Sequence, residues 1–155
     1  INTGTAVWAL LAPDSGTHNA VLNAATSDIR RMQALSYTGV KQSGLPDSTP
    51  VVNTWPINNG TSKTIDITST SDNAWGVGFG IVDSTLTAGS NTVVRSQSLG
   101  DWQEIDTGVA QSPAGAFQMA FTFPSAQAGG FVSFAIAPFV AAAAPVKVPG
   151  LIWFD

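Results

Sequence analysis

The sequence predicts an all-β protein, an antiparallel β-sandwich. Three observations carry that expectation. Short apolar segments alternate with a period of two. Turn-forming clusters of Pro, Gly, Asn, Asp and Ser separate them. Charged residues make up only 10% of the 155 residues, so the polar share falls to Ser, Thr, Asn, Gln and Gly.

The order along the chain begins with "TAVWALLA", Thr5 to Ala12, closed by "PDSG". This reads as a buried strand running into a turn. Residues 19–36 carry the one helical spacing, with Leu22, Ala25, Ile29, Met32 and Leu35 three or four apart and Asn19 as a cap. A short connecting helix is expected there, against a competing strand from Arg31 to Lys41. Residues 42–61 are rich in Pro, Gly, Asn and Ser, and read as a long loop or short edge pieces.

"TSKTIDITST" alternates strictly, with Ile65 and Ile67 on one side. "AWGVGFGIVD" places Trp75, Val77, Phe79 and Ile81 on one face and Gly76, Gly78 and Gly80 on the other. The glycines lack the G-x-G-x-x-G spacing of a dinucleotide loop. Their period of two points to close approach of a backbone or an aromatic ring. A short strand is expected around Val93–Gln97. In "DWQEIDTG", Trp102, Glu104 and Asp106 share one side.

Residues 107–146 hold no charge. A membrane helix needs about 20 unbroken apolar residues, and Pro124, Gly129 and Gly130 interrupt this run. Read with period two, it resolves into two antiparallel strands, each about 27–34 Å long. Phe117, Met119, Phe121 and Phe123 form a core wall on the first. Val132, Phe134, Ile136 and Val140 line one face of the second. Pro138 lacks a ladder donor, so the second is expected at a sheet edge or bulged. The tail, about 141–155, ends in "LIWFD". Leu151, Ile152, Trp153 and Phe154 are candidate interface residues, because an apolar cluster left in water is adhesive. The whole reads as a single domain, 1–155. A jelly roll is favoured over an immunoglobulin-like sandwich.

Composition bounds the function. The net charge is −4, from six basic and ten acidic residues, and no basic patch is visible. Direct nucleic-acid binding is therefore not expected. The absence of cysteine removes disulfides, thiolate zinc sites and cysteine catalysis. The first residues lack the basic start of a signal peptide. A first residue of Ile reads as a processed product or an excised domain.

Candidate chemistry is sparse. Asp14, Ser15 and His18 are close in sequence, but a triad is assembled by a fold, and a turn does little to orient one. Asp101, Glu104 and Asp106 are the candidate carboxylate group for acid–base work or a calcium contribution. Glu104 and Asp106 on one strand face are expected to be solvent-exposed. Asn59-Gly60-Thr61 matches a glycosylation sequon and also reads as a turn. Trp55 and Trp102, with polar neighbours, are the candidate ligand platform. No catalytic residue, cofactor or metal site is assigned, and the protein is not expected to be an enzyme.

The style of "TAVWALLAPDSG" and the uncharged, Ala/Ser/Thr/Gly/Asn-rich composition resemble the shell or protruding domains of small non-enveloped virus coat proteins. That resemblance implies a structural, self-assembling protein of a virion, with copies of itself or other coat-protein segments as partners. A glycan or host receptor is a further candidate partner. The alternative expectation is an extracellular carbohydrate-binding or adhesion module.

Overall fold

The computed structural model describes residues 19, 21, 34–41, 43–98 and 102–140. Among the described residues eight strands follow one another: β1 (Val51–Trp55), β2 (Ser62–Thr68), β3 (Trp75–Val82), β4 (Thr87–Ala88), β5 (Val93–Gln97), β6 (Gln103–Asp106), β7 (Ala116–Thr122) and β8 (Gly129–Ile136). All pairings are antiparallel. One sheet has the order β1-β8-β3-β6-β5 and the other β2-β7-β4. The expected all-β class and two-sheet arrangement are therefore present. Among the described residues no helix is long and apolar enough to cross a membrane.

Alternation builds each strand. In β2, Lys63, Ile65 and Ile67 are buried while the residues between them are exposed. β7 sets Phe117, Met119 and Phe121 against them, since Lys63, Ile65 and Ile67 pair with Phe121, Met119 and Phe117. The opposite sheet supplies Val82, Ile105, Phe131 and Ala135 to the same core. Phe121 meets Phe131 across the two sheets at a centroid separation of 5.2 Å. Each fully buried large side chain contributes about 1.5–3 kcal/mol.

The glycines of β3 face this core. A Cβ at Gly76 would stand 2.6 Å from Phe117 Cε2, and one at Gly80 would stand 2.6 Å from both the Gly130 carbonyl oxygen and Phe131 Cδ2. Close approach of rings and backbone is what the spacing predicted. The aromatic face of β3 is consequently the outer one, where Phe79 stacks on Phe134 at 6.3 Å.

Three local expectations are corrected. β7 and β8 do not pair with each other; they belong to opposite sheets, so the chain from Phe123 to Ala128 crosses between layers. Val132, Phe134 and Ile136 alternate with Phe131, Ser133 and Ala135, and it is Phe131 and Ala135 that enter the core. A large ring at 131 facing the glycines explains the reversal. Finally, β8 is not an edge strand: it lies between β1 and β3, and it ends at Ile136, before Pro138.

The region 42–61 holds the edge strand β1, between Pro50 and Pro56. Asn58 and Gly60 both have positive φ, 68° and 72°, so Asn59-Gly60-Thr61 occupies a tight turn. Asn and Gly tolerate that conformation best. The expected helix over 19–36 lies mostly outside the described residues. Its described end, 34–36, is irregular, and the competing strand over 31–41 is represented by a single bridge, Val40 to Pro138. The tail from 141 onward, with Leu151, Ile152, Trp153 and Phe154, lies outside the described residues.

Candidate functional site

Residues 39–41 run beside the end of β8. Lys41 N donates to the Ala137 carbonyl at 2.9 Å and Phe139 N to the Gly39 carbonyl at 2.7 Å. This holds Tyr37 over the end of the five-stranded sheet, where its ring lies 6.2 Å from that of Trp75. β5 arrives from the other side. Its register shifts between Val94 and Ser96, so Arg95 is the extra residue of a β-bulge. Bulges re-aim side chains, and this one brings Arg95 to Asp106.

Asp106 is the hub. Its side chain is fully buried. Oδ2 accepts from Arg95 Nε at 2.5 Å and from the Tyr37 hydroxyl at 3.1 Å. Oδ1 accepts from Gly108 N at 2.7 Å. Gly108, at φ 70°, makes the turn that points its N–H back at the carboxylate. A buried carboxylate is tolerable because it is paired and hydrogen-bonded.

Around this hub lies a half-open cleft of about 380 Å³, lined by residues 35–40 and by Trp75, Arg95, Asp106 and Pro138. Burial, reinforced by the negative charge of Asp106, pushes the Tyr37 hydroxyl well above the usual tyrosine range. The hydrogen bond to Asp106 raises the Arg95 guanidinium further. Both therefore keep their protons at neutral pH. A general base needs a pKa near the working pH, whereas these groups are fixed donors. The arrangement suits binding more than proton transfer.

Glu104 stands beside the hub on the same face of β6, opposite Phe79 and Ser96. It is 2% exposed, contrary to the exposure expected for it and Asp106. The reason is that β6 lies between β3 and β5 and is not an edge. Burial pushes the Glu104 carboxyl up, and Oε1 has no hydrogen-bond partner among the described residues. Among the described residues, no three His, Cys, Asp or Glu side chains are grouped as a metal ion would require.

Of the two candidate platform tryptophans, Trp55 is half-buried at the end of β1. Its ring meets Phe121 and Phe131 edge-on, each at 5.9 Å, and Lys63 Nζ lies 5.8 Å from its centroid. Trp102 precedes β6, and its carbonyl accepts from Ser98 N at 2.9 Å. β8 and β3 separate the strands that carry them, so the fold does not join them into one surface. Asp14, Ser15, His18 and Asp101 lie outside the described residues. Tyr37, Trp75 and Arg95 were not foreseen as a group. The one signal was Arg95, a lone charge within a short strand.

Comparison with protein-family models, with curated proteins and with solved structures found no match.

Proposed function

We propose that the sandwich is a jelly roll and that the chain is a self-assembling structural domain of a virion coat. Nested pairing supports the fold: β1 with β8, β2 with β7, and β3 with β6. A long antiparallel hairpin rolled on itself gives this nesting. An immunoglobulin-like sandwich keeps its first two strands in one sheet, whereas the first two strands among the described residues, β1 and β2, are in opposite sheets. Jelly rolls serve as viral capsid and lectin domains.

The observation that carries assembly is the number of large apolar side chains left at the surface of a nearly uncharged sandwich. Val52, Ile57, Val109, Phe139 and Val140 are each 61–80% exposed. Where such groups adjoin, as Phe139 and Val140 do in sequence, they favour protein over water as neighbour. With 10% charged residues, little charge repulsion keeps copies apart. The test is the double substitution Phe139→Ser with Val140→Ser. Both side chains are exposed, so the fold tolerates the change within about 0.5 kcal/mol, while self-association weakens. Unchanged association would remove this surface from the account. An extracellular glycan-binding module of the same fold is the second reading, and the Trp75–Tyr37 cleft is what favours it. A stable monomer with glycan-responsive tryptophan fluorescence would establish it.

A further inference from the structure

We propose that the cleft between residues 35–40 and the end of the five-stranded sheet binds a carboxylate carried on a ring, with Arg95 taking the carboxylate and Trp75 the ring. This chemistry is shared by acidic sugars and by small ring carboxylates. The inference stands apart from assembly, and neither outcome of a mass measurement bears on it.

Charge is the first argument. Among the described residues, Arg95 and Asp106 are the charged residues of the cleft lining. The Asp106 side chain is 0% exposed and that of Arg95 38%, so the charge presented to solvent is positive. Geometry is the second. Of the five N–H donors of a guanidinium, Nε is committed to Asp106. The terminal nitrogens form the fork that matches a carboxylate bidentately. Asp106 and the bulge in β5 fix the direction of that fork before any ligand arrives. Such prior ordering lowers the entropic cost of binding.

Shape is the third argument. The volume, about 380 Å³, falls in the range of roughly 300–1,000 Å³ usual for small-molecule sites. Trp75, Val40 and Pro138 give the lining apolar surface, and Ser36 and Thr38 add hydroxyls to it. An apolar ring face with one acidic arm is complementary to both.

The experiment is ligand-observed NMR on the full chain with sodium glucuronate, glucose and sodium cyclohexanecarboxylate. At least one carboxylate binds saturably, and glucose binds about tenfold more weakly or not at all. Tighter glucuronate identifies an acidic sugar; tighter cyclohexanecarboxylate identifies a simple ring acid. Arg95→Lys keeps the charge, loses the fork and weakens the carboxylate about tenfold. Added salt weakens binding in the unsubstituted chain, which gives a readout free of any folding defect. Absence of carboxylate binding, glucose binding as tightly as glucuronate, or indifference to both Arg95→Lys and salt would overturn the proposal.

Discussion

Arg95, the extra residue of the β-bulge in β5, donates from Nε to Asp106 Oδ2 at 2.5 Å. The same carboxylate holds Tyr37 and the Gly108 turn. Three separate parts of the chain thus converge on one buried charge. Asp106→Ala would strand the Tyr37 hydroxyl and the Arg95 guanidinium. Arg95 is partly solvated and recovers some of its loss in water, so the expected destabilisation is about 2–3 kcal/mol. Urea denaturation checks it. A loss under about 0.5 kcal/mol would mean that the hub does not hold the segment around Tyr37.

Packing makes a different demand at β3. Gly80→Ala places a methyl group against the Gly130 carbonyl, which cannot rotate away. Overpacking of this kind costs about 1–3 kcal/mol. Gly78→Ala meets Ser133 Oγ and Ile105 Cγ1, each at 3.0 Å, and side chains yield more readily than backbone. The denaturation midpoint is therefore expected to fall further for Gly80→Ala than for Gly78→Ala. The reverse order would contradict the register of β3 with β8.

Two buried carboxyls give pH dependences of opposite sign. The folded pKa of Glu104 is raised by burial. Its contribution is fully present below the unfolded value, about 4.3, and is lost as the pH rises through the higher folded value. Glu104→Gln removes that loss, so the variant gains on the parent as the pH rises above the unfolded value. Burial also pushes Asp47 up. Hydrogen bonds from the hydroxyls and backbone N–H groups of Thr70 and Ser71 outweigh it and lower the pKa. Its contribution is present above about pH 3.9 and lost as the pH falls through the lower folded value. Asp47→Asn is expected to cost about 1–3 kcal/mol at neutral pH and little in strong acid. Thermal unfolding across pH checks both signs.

Much of this fold was legible in the residues. Strict alternation in 62–68 and 116–122 marked strands because one face is buried and the other solvated. Reading failed where both faces carry apolar groups. In β8, Val132 and Phe134 alternate with Phe131 and Ala135, so alternation alone does not identify the inward side. Sheet membership was also hidden. Six residues between β7 and β8 resemble a hairpin connection, yet they cross from one sheet to the other. The cleft was less legible still. Tyr37 and Asp106 lie 69 residues apart, and they meet because residues 39–41 bond to residues 137–139 beside the five-stranded sheet. The burial of Glu104 depends on its strand having neighbours on both sides, a property of topology that its local sequence does not carry.

Sedimentation velocity of the chain at micromolar concentration and neutral pH tests the central claim most directly. Self-assembly through uncharged surfaces predicts tight multimers or particles far larger than the 16.0 kDa chain. A monomer of 16.0 kDa that persists as the concentration is raised would contradict it.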